Sequence, residues 1–172
     1  MLTIPLKTKT AYFLGQIAIH LGFIGRFIEA RDCDSDAVLL WRSLVAEDPD
    51  SHTPNLARQL TSQGTSFSNL NQHEESLDAT EECITLCRSL VEKNPALYTP
   101  DLAGRIGNLG IFLSNLNRHK ESLEVTQESF SQYEALVIKN PARYSSKRDA
   151  ARHRLEQCLL HLGRDTKLPD SA

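Results

Sequence analysis

The chain has 172 residues, of which 40% are hydrophobic and 24% charged, and its formal net charge is −3. These values are typical of a globular protein with its own core and unlike those of a disordered tail or a membrane bundle. The acidic balance gives no general attraction to phosphates, so we expect no nucleic-acid partner. Four cysteines are too few for a secreted disulfide framework, which favours a reducing, cytoplasmic location.

The first predicted helix covers residues 10–24 and follows an N-terminal extension at 1–9. The segment 11–25 is largely apolar, as in a membrane anchor, but it contains Gln16 and His20. It is also shorter than the roughly 20 apolar residues that a spanning helix needs, so we do not expect membrane insertion. The apolar helix is instead expected to pack on residues 1–9, or to contact a partner, a second copy or a neighbouring domain.

A dipeptide motif recurs along the chain with a period of 46 residues. Asp48-Pro49 recurs as Asn94-Pro95 and again as Asn140-Pro141. Aligned without a gap, residues 49–94 and 95–140 are identical at 20 of 46 positions by direct count. Unrelated sequences would agree at about three, so the chain contains true internal repeats.

Each repeat contains a helix-start signal. Thr53-Pro54 and Thr99-Pro100 combine a capping hydroxyl with a proline, which has no N–H to leave unpaired in the first turn. The third copy of the signal is Ser145-Ser146, which keeps the cap and lacks the proline. We therefore predict that helices begin near 54, 100 and 146.

A column of glycine and asparagine marks the end of these helices. Gly25, Asn71, Asn117 and Gly163 recur with the same period, and these residue types best tolerate positive φ. The column predicts a tight turn into a second helix in each repeat.

The second helices each show a single apolar or small-residue stripe with a spacing of three and four, which is typical of an amphipathic helix. In the middle repeats the stripes are Leu77, Thr80, Cys83, Ile84, Cys87, Leu90 and Val91, and Leu123, Thr126, Ser129, Phe130, Tyr133, Leu136 and Val137. The same register places Ala30, Ala37, Trp41, Leu44 and Val45 on the stripe of an earlier, diverged copy.

The pattern as a whole predicts an all-α protein of about seven helices. Their expected ranges are 10–24, 27–47, 54–70, 73–93, 100–116, 119–139 and 146–162. Because one hairpin cannot bury its own apolar faces, the hairpins should stack side by side into an α-solenoid.

The expected domain organisation follows from the period. Residues 10–164 form one repeat domain, with repeats at about 10–49, 50–95 and 96–141 and a terminal helix at 142–164. Residues 165–172 are expected to be a flexible tail.

The repeats resemble the tetratricopeptide (TPR) family. Asn108-Leu109-Gly110, Leu113, Leu116, Asn117-Arg118 and Glu121-Ser122-Leu123 look like its pattern N-L-G…L…L-G-R-x-E-E-A-L. The long unit is similar to kinesin light-chain-like repeats and to fungal and bacterial arrays, whose "NPxxFxPDLA" motif is matched by residues 94–103. Departures include Ser76 and Ser122 where the family has a small alanine. The resemblance implies a right-handed superhelix that acts as a protein-binding scaffold, alone or within a larger regulatory protein.

In such repeats the first helix of each hairpin lines the concave groove. The resemblance therefore implies a binding surface for a peptide or protein, with polar groups suited to a peptide backbone. Its expected residues are Arg58, Ser62, Thr65 and Asn69, then Asn108, Ile111 and Asn115, and finally His153, Arg154, Gln157 and His161. Chaperone-type members grip a terminal carboxylate with lysine, but Gly15 and Thr61 stand at that position here, so no such clamp is expected.

Sites for chemistry are poorly supported by the sequence, and we expect no enzyme activity, no cofactor and no metal. Cys83 and Cys87 are one helical turn apart, as in half a metal site, but the register places both on the packing stripe. The alternative function is a small enzyme or metal-binding protein that uses His153, Cys158 and His161. A third hypothesis is peripheral attachment to a membrane through the first helix.

Overall fold

The structure, a computed structural model, describes residues 3–163. This part of the chain forms seven α-helices and no strand. The helices are α1 (Ile4–Phe23), α2 (Phe27–Glu47), α3 (Pro49–Asn69), α4 (His73–Lys93), α5 (Pro95–Asn115), α6 (His119–Lys139) and α7 (Pro141–His161). The prediction of an all-helical chain of about seven helices is therefore confirmed.

The predicted starts of the first helices are wrong by about five residues. The helices α3, α5 and α7 begin at Pro49, Pro95 and Pro141, rather than near 54, 100 and 146. The preceding side chains cap them: Asn94 Oδ1 accepts from the Leu97 N–H at 3.2 Å, and Asp48 and Asn140 do the same for Ser51 and Arg143. An Asp/Asn-Pro start is present in all three copies, whereas the Thr-Pro start is present in two, and the earlier signal prevails.

The predicted turns are confirmed. Gly25, Asn71, Asn117 and Gly163 all have positive φ, between 58° and 78°. These residues reverse the chain between paired helices, and in each completed hairpin the next helix begins two residues later.

The described helices fall into two compact units, the first containing α1 to α4 and the second α5 to α7. In the first unit, α1 packs on α2, α2 on α3, and α3 on α4. In the second, α5 packs on α6, and α6 on α7. The expectation that residues 10–164 form one domain stays a prediction, and the tail at 165–172 lies outside the described residues.

The stripes of the second helices are buried as predicted. Trp41, Leu44, Cys83 and Leu136 are all at least 93% buried, while Val45, Val91 and Val137 are partly buried at the edge of the stripe. In the second unit the core also includes Tyr144, Ala151, Leu155 and Cys158 of α7.

The serines that depart from the TPR pattern have a clear structural role. Ser76 and Ser122 are fully buried, and each donates a hydrogen bond of 2.7 Å to a carbonyl of the paired helix, at Gly64 and Gly110 respectively. Gly110 permits this approach, since a Cβ there would lie 2.4 Å from Thr126 Oγ1.

The first helix is longer than predicted. Residues 4–9, expected to be an extension, form the first turns of α1, and Lys7 Nζ donates to Glu47 Oε1 of α2 at 2.6 Å. These residues therefore continue the helix and do not fold back over its apolar face. Within the described chain, no helix has the length and apolar character to cross a bilayer.

Candidate functional site

The first unit contains a hollow of about 570 Å³ that we call the first-unit hollow. Residues of α1, α2 and α3 line it, because α1 and α3 lie on the same side of α2 and also touch each other. Its lining consists of Thr8, Lys9, Tyr12, Phe13, Trp41, Asn55 and Arg58. Aromatic rings and two cationic side chains thus face one space.

The charge of the first-unit hollow differs from that of the whole chain. Lys9 and Arg58 are its basic lining residues, and neither an aspartate nor a glutamate is among the lining. Arg58 Nη2 donates to the neutral Asn55 Oδ1 at 3.0 Å, which holds the guanidinium at the rim without neutralising it. Trp41 forms a buried wall and is held by the His52 ring, 6.0 Å away between centroids.

The other sequence-predicted residues of α3 have different surroundings. Ser62 is half-buried and turns towards the buried Asp34 of α2, to which it hydrogen-bonds. Thr65 is exposed, and its hydroxyl donates to the Thr61 carbonyl within the helix at 3.1 Å. Asn69 is exposed at the end of α3. Of the four predicted residues in this unit, Arg58 alone lines the hollow.

The second unit contains a smaller recess of about 180 Å³, the second-unit pocket, between α5, α6 and α7. Five residues expected from the sequence line it together: Ile111, Asn115, Arg154, Gln157 and His161. Arg154 reaches over Gly107, where a Cβ would lie 3.1 Å from its Nη1 atom. The absent side chain at Gly107 therefore leaves the space that the guanidinium occupies.

Two expected residues of the second unit lie outside this pocket. Asn108 is half-buried on α5, and His153 is exposed on α7, where its Nε2 atom lies 3.1 Å from Gln157 Nε2. Neither is among the residues that line the pocket. The floor is made instead by small polar groups that sequence reasoning did not select, such as Ser114, Ser122 and Thr126.

The alternative catalytic residues do not form a nucleophile–base pair. Cys158 is buried with its Sγ atom 3.3 Å from Ser122 Oγ and 3.9 Å from Thr126 Oγ1. His161 Nδ1 contacts the Gln157 carbonyl at 2.8 Å, and its ring stacks on His119 at 5.2 Å. Because other groups engage both side chains, the geometry gives no support to thiol catalysis.

The paired cysteines of α4 are packing residues. Cys83 and Cys87 are buried, with 4.0 Å between their sulfur atoms, and Cys83 Sγ lies 3.0 Å from the Ala57 carbonyl oxygen. Among residues 3–163, no three His, Cys, Asp or Glu side chains are grouped as a metal site would require.

The site residues that the sequence analysis missed come mainly from α1. The 46-residue register contains a usable signal, since Tyr12 is the counterpart of Arg58. The groove expected from the sequence included no residue from the first repeat, so Lys9, Tyr12 and Phe13 were left out. The sequence predicts Trp41 as a packing residue, and the structure shows it both 2% exposed in the core and among the lining of the hollow.

Comparisons with known proteins identify the fold. No protein-family model matches the sequence, and a search of curated proteins also gives no match. Among solved structures, the chain is similar to the TPR domain of Sgt2 from Aspergillus fumigatus, with a TM-score of 0.57 and 14% identity over 94% of this chain and 87% of that one. It is also similar to the nearly identical TPR-like repeats of a Podospora anserina putative kinesin light chain, with a TM-score of 0.54 and 14% identity over 88% and 86%. The helical hairpins are therefore those of a TPR fold.

Proposed function

We propose that this chain is a protein-interaction scaffold, and that its first-unit hollow binds an acidic peptide segment carrying an aromatic or aliphatic side chain. The TPR fold supports a protein-binding role in general. The first-unit hollow supplies aromatic and cationic groups for this segment.

One observation carries the proposal. In a chain of net charge −3, the hollow brings two cations together with three aromatic rings and no carboxylate in its lining. The rings favour an apolar side chain, and the cations favour a carboxylate next to it in the same segment. Aromatic and arginine side chains are also the types that most often dominate protein-binding energies.

A displayed library of random peptides provides the test. Immobilised chain should enrich sequences in which aspartate or glutamate neighbours an aromatic or aliphatic residue. Arg58→Glu and Lys9→Glu should each weaken an enriched peptide by about tenfold or more, because they place a like charge against it. Affinity should be measured by titration calorimetry or fluorescence anisotropy at two salt concentrations, since exposed charge pairs weaken with salt.

The matched control is Lys120→Glu, which reverses an exposed charge on α6 in the other unit. It should leave peptide affinity unchanged. Enrichment of basic sequences, or equal binding by the Arg58→Glu variant, would show that the hollow is not the site.

The same peptides test the expected absence of a terminal clamp. A Cβ at Gly15 would lie 2.4 Å from Gln59 Oε1, which leaves little room there for a lysine. A peptide with a free terminal carboxylate should bind no better than its amide, and a clear preference for the acid would contradict this expectation.

A further inference from the structure

The outer face of α1 is apolar and uncovered. Leu6, Phe13, Ile17 and Ile24 are 47%, 62%, 48% and 69% exposed. At 100° per residue these positions lie within about 40° of one another around the helix. The buried residues Ala11, Gly15 and Ala18, which face the rest of the unit, lie on the opposite side.

The repeat register shows what kind of surface this is. The counterparts of Leu6, Phe13, Ile17 and His20 in α3 are His52, Gln59, Gln63 and Ser66. All four pack on α2: His52 against Trp41, Gln59 and Ser66 on Asp34, and Gln63 on Ser35.

The second unit gives the same result independently. The counterparts in α7 are Tyr144, Ala151, Leu155 and Cys158, all of which are buried in the core that α7 shares with α6. The uncovered face of α1 is therefore the face through which first helices pack on another helix.

The spacing of this face suits pairing with a second helix. Leu6, Thr10, Phe13, Ile17, His20 and Ile24 alternate at intervals of four and three, as do the core positions of a coiled coil. We call these six residues the α1 seam.

We propose that a second copy of this chain covers the α1 seam, with the two α1 helices antiparallel about a two-fold axis near Gly15. In this arrangement Leu6 meets Ile24 of the second copy, Thr10 meets His20, and Phe13 meets Ile17. Each pair occurs twice, as a two-fold interface requires. No other described helix exposes large apolar residues along its whole length, so α1 is the best complement that the chain offers to itself.

Charge favours the antiparallel direction. α1 contains Lys7, Lys9 and His20 and no acidic residue. A parallel pair would place each basic residue beside its own copy, whereas an antiparallel pair separates the like charges along the two helices. A hollow of about 470 Å³ beside Ile17, His20 and Ile24 would receive Leu6 of the second copy.

The α1 seam fits a weak dimer that forms as concentration rises. A helix of 20 residues is about 30 Å long, and a strip about 10 Å wide along it covers roughly 300 Å² on each copy. The total of roughly 600 Å² lies below the range for stable interfaces, so we expect the dimer only at high protein concentration.

Sedimentation or light scattering at increasing protein concentration tests the proposal. The wild-type chain should shift towards twice its monomer mass as concentration rises from about 1 to 500 µM. The double variant Leu6→Glu, Ile17→Glu, whose two residues lie outside the lining of the first-unit hollow, should remain monomeric over this range, because it buries four carboxylates in the seam. Far-ultraviolet circular dichroism checks that the variant stays helical.

Leu160→Glu is the matched control, since Leu160 is 65% exposed on α7 and lies outside the seam. It should dimerise like the wild type. A wild-type chain that stays monomeric throughout, or a dimer that survives the double variant, would overturn the proposal. Monomers that bind lipid vesicles through α1 would also overturn it, in favour of membrane attachment.

Disulfide trapping tests the direction of pairing in a Cys33→Ser background. Mixing Leu6→Cys chains with Ile24→Cys chains should give a crosslinked heterodimer, while each variant alone should crosslink poorly. Efficient crosslinking of Leu6→Cys to itself would show a parallel pair and contradict the antiparallel arrangement.

Discussion

Side chains 46 residues apart adopt the same conformation and make the same contacts at several positions. Asn71 and Asn117 adopt the same positive φ of 58°, and Ser76 and Ser122 make the same hydrogen bond to a glycine carbonyl. One counterpart breaks the pattern: Asp34 lies where later copies have Thr80 and Thr126. A threonine can satisfy its own hydroxyl within the helix, as Thr80 does on the Ser76 carbonyl, but a buried carboxylate needs donors from elsewhere.

Those donors come from α3. Gln59 Nε2 and Ser66 Oγ each donate to Asp34 at 2.6 Å, and Ser62 donates as well. Burial raises the pKa of Asp34, and the three hydrogen bonds oppose that shift. The neutral donors thus hold the carboxylate at the α2–α3 contact without an ion pair to offset its desolvation.

This arrangement predicts a pH dependence of stability. A raised folded pKa stabilises the fold fully only below the unfolded value of about 4, and the contribution is lost as pH rises through the folded pKa. Asp34→Asn removes this loss. The free energy of unfolding of the wild type should therefore fall relative to that of the variant as pH rises above about 4. Urea unfolding at stepped pH measures the difference.

The exposed Asp36→Asn change controls for the removal of one negative charge. Wild-type and Asp34→Asn curves that differ by a constant amount at every pH would contradict the prediction.

At the scale of the helix, the chain contains two competing start signals five residues apart. Pro54 and Pro100 lie inside α3 and α5, within the first two turns. The residues predicted to cap instead bond back into the helix, as Thr53 Oγ1 does to the Pro49 carbonyl at 2.6 Å and Ser145 Oγ to the Pro141 carbonyl at 2.8 Å. A proline near the start of a helix leaves few carbonyls without a partner, so the earlier cap determines the boundary.

The two caps of α7 can be separated by mutation. Asn140→Ala should lower the free energy of unfolding by about 1 kcal/mol, because the Arg143 N–H loses the Asn140 side-chain oxygen as an acceptor. Ser145→Ala should change it by only a few tenths of a kcal/mol, since alanine is the better helix former in a helix interior. Chemical denaturation measures the free energy of unfolding of both variants. Equal losses would contradict the prediction that Asn140, and not Ser145, caps α7.

At the scale of the whole molecule, stability and association should be linked. If α1 pairs with a second copy, the dimer stabilises the native state by mass action, because the unfolded chain has no seam to pair. The apparent Tm of the wild type should therefore rise as protein concentration is increased. Scanning calorimetry of the wild type and of the Leu6→Glu, Ile17→Glu variant measures this, and the variant should show no such rise. A wild-type Tm that is independent of concentration would contradict the link.

The candidate sites show which of the residues chosen from the sequence lie together in the structure, and their role in binding stays a prediction. In the second unit, five residues chosen by register line one pocket, because first helices repeat the same orientation about their second helices. In the first unit, Arg58 alone of the predicted set lines the hollow. The polar groups of Ser62 and Thr65 are satisfied by Asp34 and by the backbone of their own helix, which a residue pattern does not reveal.

The sequence by itself determined the helical class, the period, the hairpin turns and the buried stripes, since each follows from local chemistry that repeats along the chain. Glycine or asparagine at the turns and a spacing of three and four on the stripes leave few alternatives. Tertiary structure decided which residue caps each helix, which polar side chains form internal hydrogen bonds, and which aromatic rings lie beside the basic residues of the first-unit hollow. It also decided that the apolar face of α1 is left uncovered, because burial depends on groups that are distant in the sequence and meet only when neighbouring helices pack.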